Sequence, residues 1–127
     1  MRNFVYASMF VIASSGTALA QDAGAGEQSF KKCTACHAVG ESAKNKIGPE
    51  LNGLDGRKSA SVEGYSYSDA NKKSGLTWGE STFKAYIANP KANMPGTKMV
   101  FPGIKSESDA ADLWAYLKQF DATGKKK

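Results

Sequence analysis

Residues 33–37 read Cys33-Thr34-Ala35-Cys36-His37, so the chain's two cysteines stand three apart and its one histidine follows directly. A helical turn brings two thiols at that spacing to one side, where they can add to the two vinyl groups on one edge of a porphyrin. The next residue then lies under the iron with an imidazole nitrogen pointing at it. One spacing therefore sets three bonds, and C-x-x-C-H is the attachment pattern of covalent c-type haem. A redox dithiol shares C-x-x-C but belongs in a βαβ context, and no segment here shows strand alternation. A structural zinc site asks for four ligands drawn mainly from Cys and His, and this chain offers three, all adjacent. A simple disulfide is open to an exported chain; His37 directly behind the pair is what favours haem.

Upstream, the first twenty residues read as an address. Arg2 precedes an apolar stretch from Phe4 to Ala13, and the run closes on Ala18-Leu19-Ala20. That is a cationic start, an apolar centre and a small-x-small cleavage site, with an apolar run shorter than the roughly 20 residues a spanning helix needs. The expectation is a signal peptide over 1–20, cut near Ala20, a single domain over 21–127, a periplasmic location and no stable membrane insertion.

Residues 21–127 contain only 15 Leu, Ile, Val and Phe residues, 14% of that stretch, which is low for a chain that folds on its own core. A flat apolar cofactor would supply the missing interior. The formal charge of +5 falls to +4 without Arg2. Nucleic-acid binding would ask for basic residues interleaved with stacking aromatics, whereas the lysines are thinly spread, and nucleic acid is not an expected partner. The run Lys125-Lys126-Lys127 reads as a solvated, mobile tail.

The pattern predicts an all-α fold. The first helix should run from Ala23 to Ala35 with Phe30 inward, delivering the cysteines at its end. Residues Val39 to Glu63, punctuated by glycines, read as an ordered loop. A short helix over Asp69–Lys73 should follow Ser68. Thr77 and Glu80 have the spacing of a capping box for a helix to about Ala88, which Pro90 should stop. Asn89 to Gly103 reads as a second long loop. Ser106 should cap the last helix, whose buried face is Ala110, Leu113, Trp114, Leu117 and Phe120 and whose end is marked by Gly124.

Gly48-Pro49, Tyr67-Ser68-Asp69-Ala70-Asn71, Trp78, Asn89-Pro90-Lys91 and Pro95-Gly96-Thr97-Lys98-Met99 follow one another in an order that resembles the class I cytochrome c family from Gly26 to about Phe120. With the leader in front, the similarity is greatest to its bacterial cytochrome c2 branch. The resemblance implies terminal helices crossing at Gly26, Phe30, Leu113 and Tyr116, and two long loops around one covalent haem held by Cys33 and Cys36. It implies His37 and Met99 as axial iron ligands, with Met94 in the same loop as a rival sulfur donor. By position Tyr67 and Trp78 should hydrogen-bond a haem propionate with Arg57 near enough to offset its charge; Asn71, Tyr86 and Thr97 should form a polar network by Met99. Pro49 should accept the His37 proton through its carbonyl. For each aromatic, ordinary core packing is the competing use. Asn45 stands where mitochondrial members often carry a loop-bridging histidine, which weakens the expected bracing of the Val39–Gly53 loop.

The resemblance further implies an electron carrier and not an enzyme: a monomer shuttling single electrons between a bc1-type quinol reductase and a terminal oxidase or photosynthetic reaction centre. It places Lys32, Lys46, Lys91, Lys98 and Lys105 around the exposed haem edge, where they would steer acidic redox partners. A peroxidase or gas-binding protein would instead require Met99 to be absent or readily displaced.

Overall fold

The computed structural model describes residues 21–127, so the leader reading of residues 1–20 lies outside it. Asp22 opens the first helix, α1 (Ala23–Phe30), by accepting a hydrogen bond from the Ala25 backbone N–H at 3.1 Å. Four further helices follow: α2 (Asp69–Lys73), α3 (Glu80–Ala88), α4 (Pro90–Asn93) and α5 (Glu107–Leu117). The fold is all-α, with only two isolated β-bridges among the described residues, Lys58 with Thr77 and Phe120 with Lys126.

The crossing of α1 and α5 is the most extensive helix packing, and its closeness has a sequence cause. A Cβ on Gly26 would lie 1.9 Å from the Asp112 carbonyl oxygen, inside backbone that cannot give way. Beside it the Phe30 and Tyr116 rings meet at 5.5 Å. Leu113 and Leu117, each 1% exposed, form the centre. Gly26→Val is therefore expected to destabilise the haem-loaded protein by about 3 kcal/mol through overpacking, read as a lowered denaturant midpoint with an unchanged m-value.

Several expected boundaries move, each for a local reason. The first helix stops at Phe30 rather than Ala35: it tightens to a 3₁₀ turn over Lys31–Cys33, and Thr34 Oγ1 donates to the Lys31 carbonyl at 2.9 Å. The Cys33 carbonyl then accepts from both Cys36 N–H (3.1 Å) and His37 N–H (2.8 Å), so the motif occupies one irregular turn after the helix.

The Thr77–Glu80 capping box does not form. Backbone bonds from Trp78 N to Arg57 O and from Gly56 N to Trp78 O, both 2.8 Å, hold this stretch extended until Gly79. Gly79 becomes the N-cap, with its N–H received by Thr82 Oγ1 at 2.9 Å, and Glu80 instead pairs with Lys84 at 3.1 Å. Pro90 stops α3 as expected, yet it also opens α4 at a position where its missing N–H costs nothing. Asn89 Oδ1 caps that turn by accepting from Ala92 N–H at 3.2 Å, so the Asn89–Gly103 segment is partly helical.

The last helix closes at Leu117, and Gly124 does not end it. Gly124 adopts φ +86° where a Cβ would lie 2.2 Å from the Gly40 carbonyl oxygen, so it lets the tail approach the first loop. The terminal lysines are exposed but not loose: Lys127 N–H donates to Gln119 O at 2.8 Å and Asp121 N–H to Lys125 O at 2.9 Å. Asn45 braces the first loop itself, since its Nδ2 donates to Glu63 O and its Oδ1 accepts from Glu50 N–H, both at 3.0 Å.

Candidate functional site

Between the crossed helices and the two loops lies an open-sided, mainly apolar cavity of about 240 Å³. Leu54, Phe83, Ile87, Leu113 and Leu117 supply its apolar depth. Cys33, Cys36 and His37 line it from the turn after α1, and Met99 lines it from the loop before α5. Cys33 and Cys36 form no disulfide with each other. Burial raises the Cys33 thiol above its usual range, Cys36 adding to the effect and Lys32 opposing it.

The imidazole of His37 is fixed by two neighbours. Its Nδ1 donates to the Pro49 carbonyl at 2.7 Å, which leaves Nε2 as the nitrogen with a free lone pair. Burial lowers the pKa of the ring, and Arg57 adds to this while the Pro49 bond opposes it, so the ring is neutral at pH 7. Gly48 is the second support: a Cβ there would lie 2.4 Å from His37 Cε1, so the ring rests directly on bare backbone. Gly48→Ala is expected to tilt the imidazole and destabilise the haem-loaded protein by about 2 kcal/mol, roughly 10 °C in Tm. A thermal melt followed in the visible band checks it.

Met99 is half-buried and packs against the hydrophobic core, while polar groups hold its backbone. The Tyr86 hydroxyl and Thr97 Oγ1 lie 2.9 Å apart, and Thr97 Oγ1 accepts from the Met99 backbone N–H at 3.3 Å. Asn71 lines the same cavity with its Oδ1 buried and unbonded among the described residues. Asn71 thus joins the site but not the Tyr86–Thr97–Met99 chain. Met94, the rival sulfur, is 5% exposed and packs in the hydrophobic core, away from the cavity lining.

Tyr67, Trp78 and Arg57 line another part of the cavity. The Tyr67 hydroxyl accepts from Val62 N–H at 3.0 Å, which leaves its own proton to donate. Burial raises the pKa of that phenol. Arg57 Nη1 donates to the Glu50 and Asn52 carbonyls at 2.9 and 3.0 Å, while its contact with the Glu50 carboxylate is a loose 3.8 Å. Backbone carbonyls rather than an ion pair therefore hold the guanidinium at the cavity.

At the cavity mouth the chain exposes apolar surface: Ile47 is 77% and Val100 85% exposed, and both line the opening. Lys32 lines it too. Three of the expected lysines are tethered by Nζ to carbonyls, Lys46 to Thr34 (2.9 Å), Lys98 to Ser66 (2.7 Å) and Lys105 to Ala88 (2.8 Å). Lys91 is exposed on α4.

Sequence reading missed four contributors. Gly48 was visible only as part of a Gly-Pro pair, with nothing to show that a ring lies on it. Asn52 is buried and clasps Gly40, its Oδ1 accepting from Gly40 N–H and its Nδ2 donating to Gly40 O, both 2.9 Å. Nothing in the sequence marks Ile47 and Val100 as exposed at the cavity mouth.

The residues fit a covalent haem. The unbonded Nε2 of His37, the bare backbone of Gly48 beneath its ring, and the orphaned amide oxygen of Asn71 belong to a site made for a flat cofactor rather than to a finished core. Among the described residues no three His, Cys, Asp or Glu side chains cluster to hold a metal ion by themselves. Fold and site together define a small helical haem protein of the covalent type.

Comparison with known proteins agrees. The sequence profile of the family described as Cytochrome c matches residues 23–121. The chain is 56% identical to cytochrome c2 of Blastochloris viridis over 127 residues, the whole of both chains. It is 64% identical to cytochrome c-550 of Nitrobacter winogradskyi over 106 residues, 84% of this chain and 97% of that one. The solved structure of cytochrome cH from Methylobacterium extorquens superposes with a TM-score of 0.72 at 50% identity, covering 76% of this chain and 97% of that one. The chain belongs to the cytochrome c family, class I. It is an electron carrier and not an enzyme, with one haem c attached through Cys33 and Cys36.

Proposed function

We propose that the protein shuttles single electrons in the periplasm, from a bc1-type quinol reductase to a terminal oxidase or photosynthetic reaction centre, with its haem iron bound by His37 Nε2 and the Met99 sulfur. Bound haem supplies a one-electron ferric–ferrous couple, and His/Met ligation favours a high potential. The observation that carries the reading is that His37 and Met99 line one apolar cavity while Pro49 occupies the other nitrogen of the imidazole.

Each neighbouring residue then has a task. Pro49 fixes the ring and raises its donor strength, as outer partners of metal-bound histidine do. Thr97, held by Tyr86, pins the Met99 backbone. Tyr67 and Trp78 donate to haem carboxylates and Arg57 offsets their charge. Asn71 completes the polar surroundings of Met99. With His37 and Met99 both engaged in holding the iron, the chain would leave a substrate no place there, and bound haem would supply electron transfer alone.

Partners dock at the apolar mouth formed by Ile47 and Val100, with Lys32, Lys46, Lys91, Lys98 and Lys105 steering acidic surfaces towards it. The contact is small, because turnover needs fast release. Residues 1–20 direct export and are removed, and residues 21–127 are the working monohaem domain, a monomer. Among the described residues no helix is long and apolar enough to cross a membrane.

The test is kinetic. Purified ferric protein mixed with quinol and bc1-containing membranes of its host should be reduced rapidly, and ferrous protein should be reoxidised by the oxidase or illuminated reaction-centre fraction. Both rates should fall as salt rises. Failure of both reactions, or carbon monoxide binding to the unmodified ferrous protein, would contradict the proposal.

A further inference from the structure

None of residues 121–127 lines the cavity, yet this tail is folded into a tight turn and seated on the first loop. Asp121 Oδ1 accepts from Thr123 N–H at 2.8 Å, from Thr123 Oγ1 at 2.6 Å and from Lys125 N–H at 3.1 Å. The Asp121 carbonyl also accepts from Gly124 N–H at 3.0 Å. The turn so made presents Gly124, which is buried although its neighbours are exposed. It meets Gly40 so closely that a Cβ would lie 2.2 Å from the Gly40 carbonyl oxygen and 2.6 Å from the Glu41 nitrogen. A second seam lies beside it. Gly53 N–H donates to Phe120 O at 3.1 Å, and a Cβ on Gly53 would lie 2.9 Å from Ala122 Cα.

We infer that this tail is a clamp on the loop that supports His37, with Gly124 and Asp121 as its positioning residues. The connection runs through short, packed links. Gly40 is clasped at its N–H and its carbonyl by the buried Asn52 amide. Leu51 N–H donates to Ala38 O at 2.9 Å, and Arg57 Nη1 joins the Glu50 and Asn52 carbonyls. Immediately before this braced stretch, Pro49 O receives the His37 Nδ1 proton and Gly48 lies under the ring. Gripping Gly40 and Gly53 from outside therefore keeps the carbonyl between them on the imidazole.

Such a carbonyl fixes the orientation of a ligating ring and sets its donor strength. A tail remote from the cavity thus governs how steadily the ring is held, and an electron carrier needs that orientation to be the same in both oxidation states. The inference deepens the proposed ligation through Nε2 and rests on it for its bearing on the iron. The clamp itself concerns only Nδ1.

The chain has one histidine, so haem-loaded protein grown on isotope-labelled histidine reports a single ring by NMR. Solvent exchange of its Nδ1 proton in the ferrous protein is timed against the backbone amides of Leu113 and Leu117, which open only with the whole core. Gly124→Ala should speed ring exchange by about five- to a hundredfold, the range that a methyl without room costs, and by more than it speeds the two core amides. Asp121→Ala, which puts no atom into the contact, should speed it by about three- to tenfold. Asp121→Asn, whose amide oxygen can accept the same bonds, should restore the wild-type rate. Ring exchange unchanged in Gly124→Ala and Asp121→Ala, or faster only by the factor seen for Leu113 and Leu117, would overturn the clamp. A wild-type ring with a proton on Nε2 would overturn the ligation instead, and with it the bearing of the clamp on the iron.

Discussion

Met99→Ala is expected to lower the reduction potential by a few tenths of a volt, within the ~0.8 V that axial ligands span. It should also let the ferrous protein bind carbon monoxide. A neutral thioether is a soft donor that favours the ferrous state, and with the proposed ligation nothing nearby could replace it: Met94 is packed in the core, and the chain's one histidine would already be engaged. Thr97 would still hold the backbone of residue 99, so the loss should fall on the iron more than on the loop. Redox titration and the carbon monoxide difference spectrum are the measurements. An unchanged potential with an unchanged low-spin spectrum would mean that another residue is the ligand.

Removing the haem is expected to unfold most of the chain. The double variant Cys33→Ala, Cys36→Ala, expressed without covalent haem, should lose more than about half of its helical circular dichroism and show no cooperative thermal transition. The size of the cavity explains why. An apolar space of about 240 Å³ left to collapse or flood costs about 6 kcal/mol at ~24 cal/mol per Å³. Small domains have only about 5–15 kcal/mol in total. The aromatic pairs that remain, such as Phe83 with Trp114 at 5.3 Å and Trp78 with Tyr86 at 5.2 Å, stand at the edge of that space and lose support with it. A cooperative melt in the haemless variant would contradict this.

Where local chemistry decides the structure, the sequence could be read directly. Ser68 and Ser106 cap α2 and α5 as hydroxyls ahead of helical periodicity should, accepting from Asn71 and Asp109 N–H. The Gly26 crossing, by contrast, was implied by the family resemblance, because the Asp112 carbonyl that demands a glycine there lies far along the chain. What could not be read were features set by a distant partner. Thr77 and Glu80 have faultless cap spacing, yet the strand-like pairing of Trp78 with Arg57 keeps them out of the helix. Gly124 looks like a helix terminator because its demand for positive φ is local, while the carbonyl of Gly40 that explains it lies far back in the chain. The lysine run looked free for the same reason: its backbone partners, Gln119 and Asp121, cannot be inferred from charge.

The site divides in the same way. The covalent attachment is written in five consecutive residues, and so was legible. The support for the imidazole is spread over His37, Gly48 and Pro49, whose meeting depends on the loop between them folding back. The lysine tethers to Thr34, Ser66 and Ala88 are also products of the finished fold, and they place charges that the sequence could only count.

Iron-edge X-ray absorption on the purified ferric protein tests the central assignment most directly, since it counts the atoms bound to the metal by element. Five nitrogen scatterers are expected, four from the porphyrin and one from His37, with a single sulfur from Met99. A first shell without sulfur, or with a sixth nitrogen or oxygen in its place, would contradict it.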